Sequence, residues 1–219
     1  MAVDLGTVEL DEALRDAGMT VLLGRPGKSR DEAFLRMLGS TLSDEQSLVL
    51  HSKPFVRAER LLQLLSNREE FLSRVVFHHV STFESQEDAL RRLDIDLTKI
   101  GSKSVFFDCP TDNYLVSLAL AVNSAQGLKD ANTSLIRQFA YLKEVSAKSA
   151  RVFVTMGDLS GINTVEEYLL RHWPDLIIKL KTGGEKTVET DPYEPASLSQ
   201  SNAKMITLVE PNADDRRVS

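Results

Sequence analysis

Short apolar runs alternate with amphipathic stretches along this chain. Met19–Leu23, Ser47–Leu50, Arg74–Val80, Ser104–Phe107 and Arg151–Thr155 are four to seven residues each, rich in Val, Leu or Phe. Runs with so little polar interruption suit strands buried on both faces of a parallel sheet. Helical patterns lie between them. Arg30–Leu38 puts Ala33, Phe34, Met37 and Leu38 on one face, and Val56–Leu65 does the same with Leu61, Leu62, Leu64 and Leu65. Ser85–Leu93 opens on a serine with Asp88 three residues on, close to a capping box. Asn113–Ala125 is strongly apolar and is expected to be sandwiched, while Ala131–Ser146 reads as a long amphipathic helix. Repeated β-α units of about 30 residues predict right-handed crossovers and an α/β, doubly wound, mainly parallel sheet.

The end of the chain breaks the alternation. Thr164–Trp173 reads as a helix closed by Pro174, and then Leu176–Leu180 and Lys204–Val209 follow as strands with no helix between them. The stretch between is rich in Gly, Pro, Ser and acids. The expected arrangement is a C-terminal antiparallel hairpin at the sheet edge, with 181–203 as a mobile loop. A single domain is expected over 1–210, with a flexible tail over 211–219.

Composition narrows the class. The hydrophobic share of 42% and charged share of 26% over 219 residues are ordinary for a globular domain. No run approaches the ~18 apolar residues of a membrane helix, and Met1–Leu5 lacks the basic start of a secretory leader. The one cysteine, Cys109, excludes an internal disulfide framework and a Cys-rich zinc site, and favours a reducing compartment. A net charge of -6 means that any DNA contact would need a local basic patch.

Two motifs carry candidate chemistry. After the first strand comes Gly24-Arg25-Pro26-Gly27-Lys28-Ser29, and then a helix. This is the position of a phosphate-binding loop, whose backbone N–H groups, lysine and Ser/Thr hydroxyl hold phosphates and magnesium. Two residues separate the glycines here where the motif needs four, and Pro26 removes a donor. Gly24, Gly27, Lys28 and Ser29 are therefore expected to be vestigial, with a tight strand-to-helix turn as the plainer reading. The second motif is Val105–Tyr114, an apolar strand ending in Asp108. A carboxylate there is where a P-loop protein organises its magnesium. Its plainer role is a turn or cap before the next helix. Cys109 reads as a small buried side chain rather than a nucleophile. His78 and His79 alternate across one strand, so they cannot jointly hold a metal, and no metal site is expected.

The order of these pieces resembles RecA-type strand-exchange recombinases and their paralogues. Arg57-Ala58-Glu59-Arg60-Leu61 is similar to the R-P-E-R-L block after the family's second core strand. Thr7–Leu14 resembles the helix ahead of the P-loop, Thr82–Glu87 the segment after the third strand, and Val152–Thr155 the strand before the second DNA-facing loop. Leu176–Lys181 with Met205–Glu210 resembles the closing strands. The resemblance covers most of the chain and rests on order and spacing more than on any invariant string. It implies a RecA-like P-loop core.

The departures from the family shape the expected function. The family's catalytic Glu falls on or beside Lys53, and His51–Pro54 contains no carboxylate. A charged lysine offers no acceptor and cannot be that base. The resemblance thus implies a non-catalytic recombinase paralogue with no catalytic residue and no required cofactor, ATP with Mg²⁺ being the candidate if the loop still binds. Lys53 could instead pair with Asp108. An N-terminal helical DNA-binding domain is expected to be absent. The implied partners are another RecA-like paralogue, as a heterodimer, and the recombinase itself, with single-stranded DNA reached through the complex. Lys129, Arg137, Lys143 and Lys148, with Arg151, fall where the family has its DNA-facing loops and their supports. Spread so widely, they equally suit a solvated helix face. The implied setting is the nucleus in a eukaryote and the cytoplasm otherwise. The alternative is a divergent P-loop ATPase or a KaiC-like regulatory nucleotide-binding protein.

Overall fold

A computed structural model describes residues 8–24, 28–42, 45–52, 69–148, 150–157, 164–181 and 203–209. In chain order the elements are α1 (Val8–Asp16), β1 (Met19–Leu23), α2 (Lys28–Thr41), β2 (Gln46–His51), a 3-10 turn (Glu69–Arg74) and β3 (Val75–His79). They continue with α3 (Phe83–Arg91), α4 (Leu93–Ile100), β4 (Ser102–Asp108), α5 (Pro110–Ala121), α6 (Ala125–Ala147) and β5 (Arg151–Met156). The last are α7 (Thr164–His172), β6 (Leu176–Lys181) and β7 (Lys204–Val209). The expected helix at Val56–Leu65 and most of the loop and tail at 181–203 and 211–219 lie outside the described residues.

The seven strands form one sheet in the order β3-β2-β4-β5-β1-β6-β7, and every neighbouring pair is parallel. From β1 the chain first steps one way to β2 and β3, then back through β4 and β5 to β6 and β7. Right-handed crossovers put the connections of the two directions on opposite faces. The side chains agree. Leu22, Val49, Phe106, Phe153 and Ile178 pack with α1 and α2 on one face, around Phe34, Leu35, Met37 and Leu38. Val21, Leu50, Phe107, Val154 and Ile177 pack with α3 to α7 on the other. The sheet is therefore doubly wound, with two cores.

Four expectations are corrected. The closing strands are not an antiparallel hairpin, because β6 and β7 run parallel from Leu176↔Lys204 to Lys181↔Val209. Parallel neighbours need a connection of about a dozen residues or more, which the segment 182–203 supplies. Strand β3 is not buried on both faces: it is the sheet edge, and Val76, Phe77, His78 and His79 are exposed. The third correction concerns the cap of α3, which is Thr82, with Ser85 as its reciprocal partner in the capping box. The largest correction is α5. It packs on α6 and α3, yet Leu115, Val116, Leu120 and Val122 at its outer face and C-terminal end are exposed, Leu120 by 84%. Among the described residues no helix is long and apolar enough to cross a membrane.

Candidate functional site

Chain direction reverses between β1 and β5. The connection leaving β1 goes to the α2 face, and those leaving β4 and β5 go to the other. Open α/β sheets bind ligands in the crevice that opens at the carboxyl ends of the strands at such a point. The described residues at this crevice are Gly24, His51, Ser52, Asp108, Cys109, Thr155 and the first turns of α2 and α5.

Strand register lines up the polar groups. His51 lies beside Asp108, and Phe107 beside Val154, so Asp108 is next to Thr155. All three side chains share the α2 face, by alternation from Val49, Phe106 and Phe153. The Thr155 hydroxyl donates to Asp108 Oδ1 at 2.8 Å and accepts from the Cys109 backbone N–H at 2.8 Å. Cys109 sits at φ 54, ψ 59, the left-handed region, directly before Pro110 opens α5. That conformation costs a non-glycine residue about 1–3 kcal/mol, and here the Thr155 bond and the helix start hold it. The thiol is buried, and burial first, then the Asp108 carboxylate, push it up to about 12. It is a proton-holding packing group, as its sequence context suggests.

Gly24 closes the other side of the crevice. Its N–H donates to Met156 O at 3.3 Å, and a Cβ there would meet Leu180 Cβ at 3.2 Å. Glycine is used here for close approach. Lys28 and Ser29 open α2, at the helix end that favours anions. Gly27 and Lys53 lie outside the described residues, and so does the expected Lys53–Asp108 pair.

One residue at the crevice escaped the sequence reading. Arg30 is only 3% exposed, and its charge reaches the Cys109 thiol. Its position follows from packing. Phe34 meets Phe106 edge-on at 5.6 Å. One turn back along α2 is Arg30, and two residues on along β4 is Asp108. Both steps rise about 6 Å toward the same end of the sheet, so Arg30 stands over Asp108. The signal was present in the sequence, because residue 30 precedes Phe34 by four on the buried stripe of α2.

Four of the five basic candidates for DNA contact are engaged within the chain. Arg137 bonds Glu87 at 2.7 Å, Lys143 pairs with Asp175, and Lys148 bridges Asp94 at 3.1 Å and Glu144 at 2.9 Å. Arg151 pairs with Glu45. Lys129 is exposed on α6. His79 stacks on His51 at 5.2 Å, and Trp173 packs against the larger core. Among the described residues no group of three or more His, Cys, Asp or Glu could hold a metal.

The α/β architecture, with a seven-stranded all-parallel sheet, is consistent with a RecA-like core. No family model matches the chain. Its sequence is similar to the DNA repair and recombination protein RadB of Methanococcus maripaludis strain C7, 27% identical over 169 residues, which is 74% of this chain and 76% of that one. RadB proteins of the same species from other isolates are 25% identical over the same length. This similarity is weak, and together with the parallel sheet it supports the RecA-like superfamily.

Proposed function

We propose that this chain acts in DNA repair and recombination as a non-hydrolysing RecA-like subunit. It pairs with another RecA-like protein and assists the strand-exchange recombinase. Similarity to RadB supports the recombination role at the level of the process. The lost spacing between Gly24 and Gly27, the lysine where the family has its catalytic carboxylate, and Arg30 above Asp108 support loss of hydrolysis. The archaeal relatives favour the cytoplasm over a nucleus.

The observation that carries the pairing is the outer face of α5. Asn113–Ala125 contains no charged residue, and Leu115, Val116, Leu120 and Val122 stand exposed along it. A contiguous uncharged apolar face suits a protein partner and repels nothing by charge, whereas a phosphate backbone needs lysine or arginine. With Arg137, Lys143 and Lys148 on α6 held by acids, the chain meets single-stranded DNA through the complex.

Affinity purification of the tagged chain from its own cells, with nuclease treatment and mass spectrometry, tests the proposal. A second RecA-like chain in near-stoichiometric amount supports it. A chain that is monodisperse and brings no such partner overturns it. The alternative, a divergent P-loop ATPase, is favoured by the strand-turn-helix setting of Lys28 and Ser29. It requires Mg-ATP hydrolysis that Lys28→Ala abolishes.

A further inference from the structure

Self-pairing makes a demand on a surface that a foreign partner does not. In a twofold pair the same patch meets itself, so any net charge on it is repelled by its own image. The outer face of α5 meets that demand. No residue from Asn113 to Leu128 is charged, in a chain that carries 26% charged residues and a net charge of -6. Val116, Ala119 and Leu120 point outward at the middle of the face, flanked by Leu115 and Val122, and all five are exposed. The opposite side of the helix, with Thr111 and Tyr114, is buried. The one charged residue on the outward stripe is the half-buried Asp112, a turn before Val116.

We infer that a second copy of this chain covers the outer face of α5 in an antiparallel, twofold pairing of α5 with α5, which keeps the face closed until the RecA-like partner takes its place. The inference rests on reading this face as the docking surface of the proposed function, and it names how that surface is regulated. Helical spacing fixes the orientation. Parallel helices would set the two Asp112 carboxylates side by side, where like charges repel. Antiparallel helices set Val116 of one copy against Leu120 of the other, and each Asp112 beside the uncharged Asn123-Ser124 turn. They also oppose the two helix dipoles. Ala119 falls close to the axis, and its small side chain lets the helices approach to about 8 Å. The apolar strip is on the order of a few hundred Å² per copy, less than the ~800 Å² that each side of a standard interface buries. The pair is therefore weak, with a dissociation constant on the order of 0.1 mM rather than nanomolar. Weakness suits the role, because a partner that also engages surface beyond α5 displaces the second copy.

Sedimentation equilibrium of the purified full chain, from about 10 µM to about 1 mM, tests the inference. The weight-average mass is expected to rise with concentration toward twice that of the monomer and to stop there. Val116→Glu with Leu120→Glu is expected to stay monomeric throughout. In a Cys109→Ser background, Ala119→Cys at the axis is expected to form an interchain disulfide on mild oxidation. Lys103→Cys, exposed near the amino end of β4, is expected not to. This crosslink decides the matter should the doubly charged variant not fold. A chain monomeric at every concentration, association that the charged variant retains, growth past the dimer, or equal crosslinking at the two positions would each overturn the inference. Partner recovery from cell extract is read separately. A monomeric chain that still brings a RecA-like partner overturns self-pairing alone, and a dimer that brings none overturns the partner reading alone.

Discussion

The Thr155 hydroxyl donates a hydrogen bond to Asp108 across the boundary between β5 and β4. The same oxygen accepts from the Cys109 N–H, so one side chain fixes both the carboxylate and the left-handed residue after it. Thr155→Val keeps the shape and removes both bonds, leaving a buried N–H and a carboxylate oxygen short of a partner. The expected loss of stability is about 2–3 kcal/mol in urea unfolding. Thr155→Ser retains the hydroxyl and is expected to lose about 1 kcal/mol, for the methyl group alone. Equal losses in the two variants would mean that packing, not the hydroxyl, holds this corner.

Cys109 gives a prediction in alkali. The folded thiol keeps its proton up to about 12, from an ordinary 9.0. Its contribution to stability is therefore intact below about pH 9 and falls as pH rises toward 12, where the unfolded thiol ionises and the folded one does not. Wild type should lose stability above pH 9 more steeply than Cys109→Ser, measured by urea midpoints at pH 8 and pH 10. Labelling by iodoacetamide at pH 8 should track unfolding and be absent from the native chain. Rapid native labelling would refute the burial of this thiol.

How much of this was legible in the sequence depends on the kind of signal. β1 was readable to the residue, because Met19–Leu23 is apolar but for the β-branched Thr20 and is bounded by Gly18 and Gly24. The placement of Gly24 and Asp108 at strand ends was readable for the same reason. The direction of β7 was not, because a strand's own residues do not encode whether it pairs parallel, and the long segment before it permits either. The exposure of α5 was not either. Apolarity states that a helix face wants cover, and it does not say whether the same chain supplies it. Thr155 was hidden because its role arises only when β5 is placed beside β4. Arg30 was legible from its spacing to Phe34 but was overlooked beside the more familiar Lys28 and Ser29.

Gln86 ties three helices to the crevice. It is fully buried on α3, and its Nε2 donates to Pro110 O at 3.0 Å and to Gln138 Oε1 at 2.6 Å. Its Oε1 accepts from Asn113 Nδ2 at 3.1 Å. The start of α5, just after Cys109, is thus fixed to α3 and α6. Gln86→Leu strips a partner from Pro110 O, Gln138 Oε1 and the half-buried Asn113 amide, and an expected loss of about 3 kcal/mol should appear in urea unfolding. A loss below about 1 kcal/mol would mean that the amides re-pair or that water enters, and that this network does not anchor the helix.

The exposed face of α5 separates two accounts of its apolar residues. If a partner covers Val116 and Leu120, charging them leaves the isolated chain intact, since neither is buried in it. Val116→Glu with Leu120→Glu is then expected to change unfolding free energy by no more than about 0.5 kcal/mol. The same double variant should lose the copurifying RecA-like chain, because two desolvated carboxylates inside an apolar interface are strongly unfavourable. Thermal unfolding and quantitative pull-down on the same preparation read both effects. Destabilisation by several kcal/mol would mean that the chain itself covers this face. Unchanged stability with unchanged partner recovery would move the interface elsewhere on the molecule. Only the combination of intact folding and lost recovery fits α5 as the contact surface.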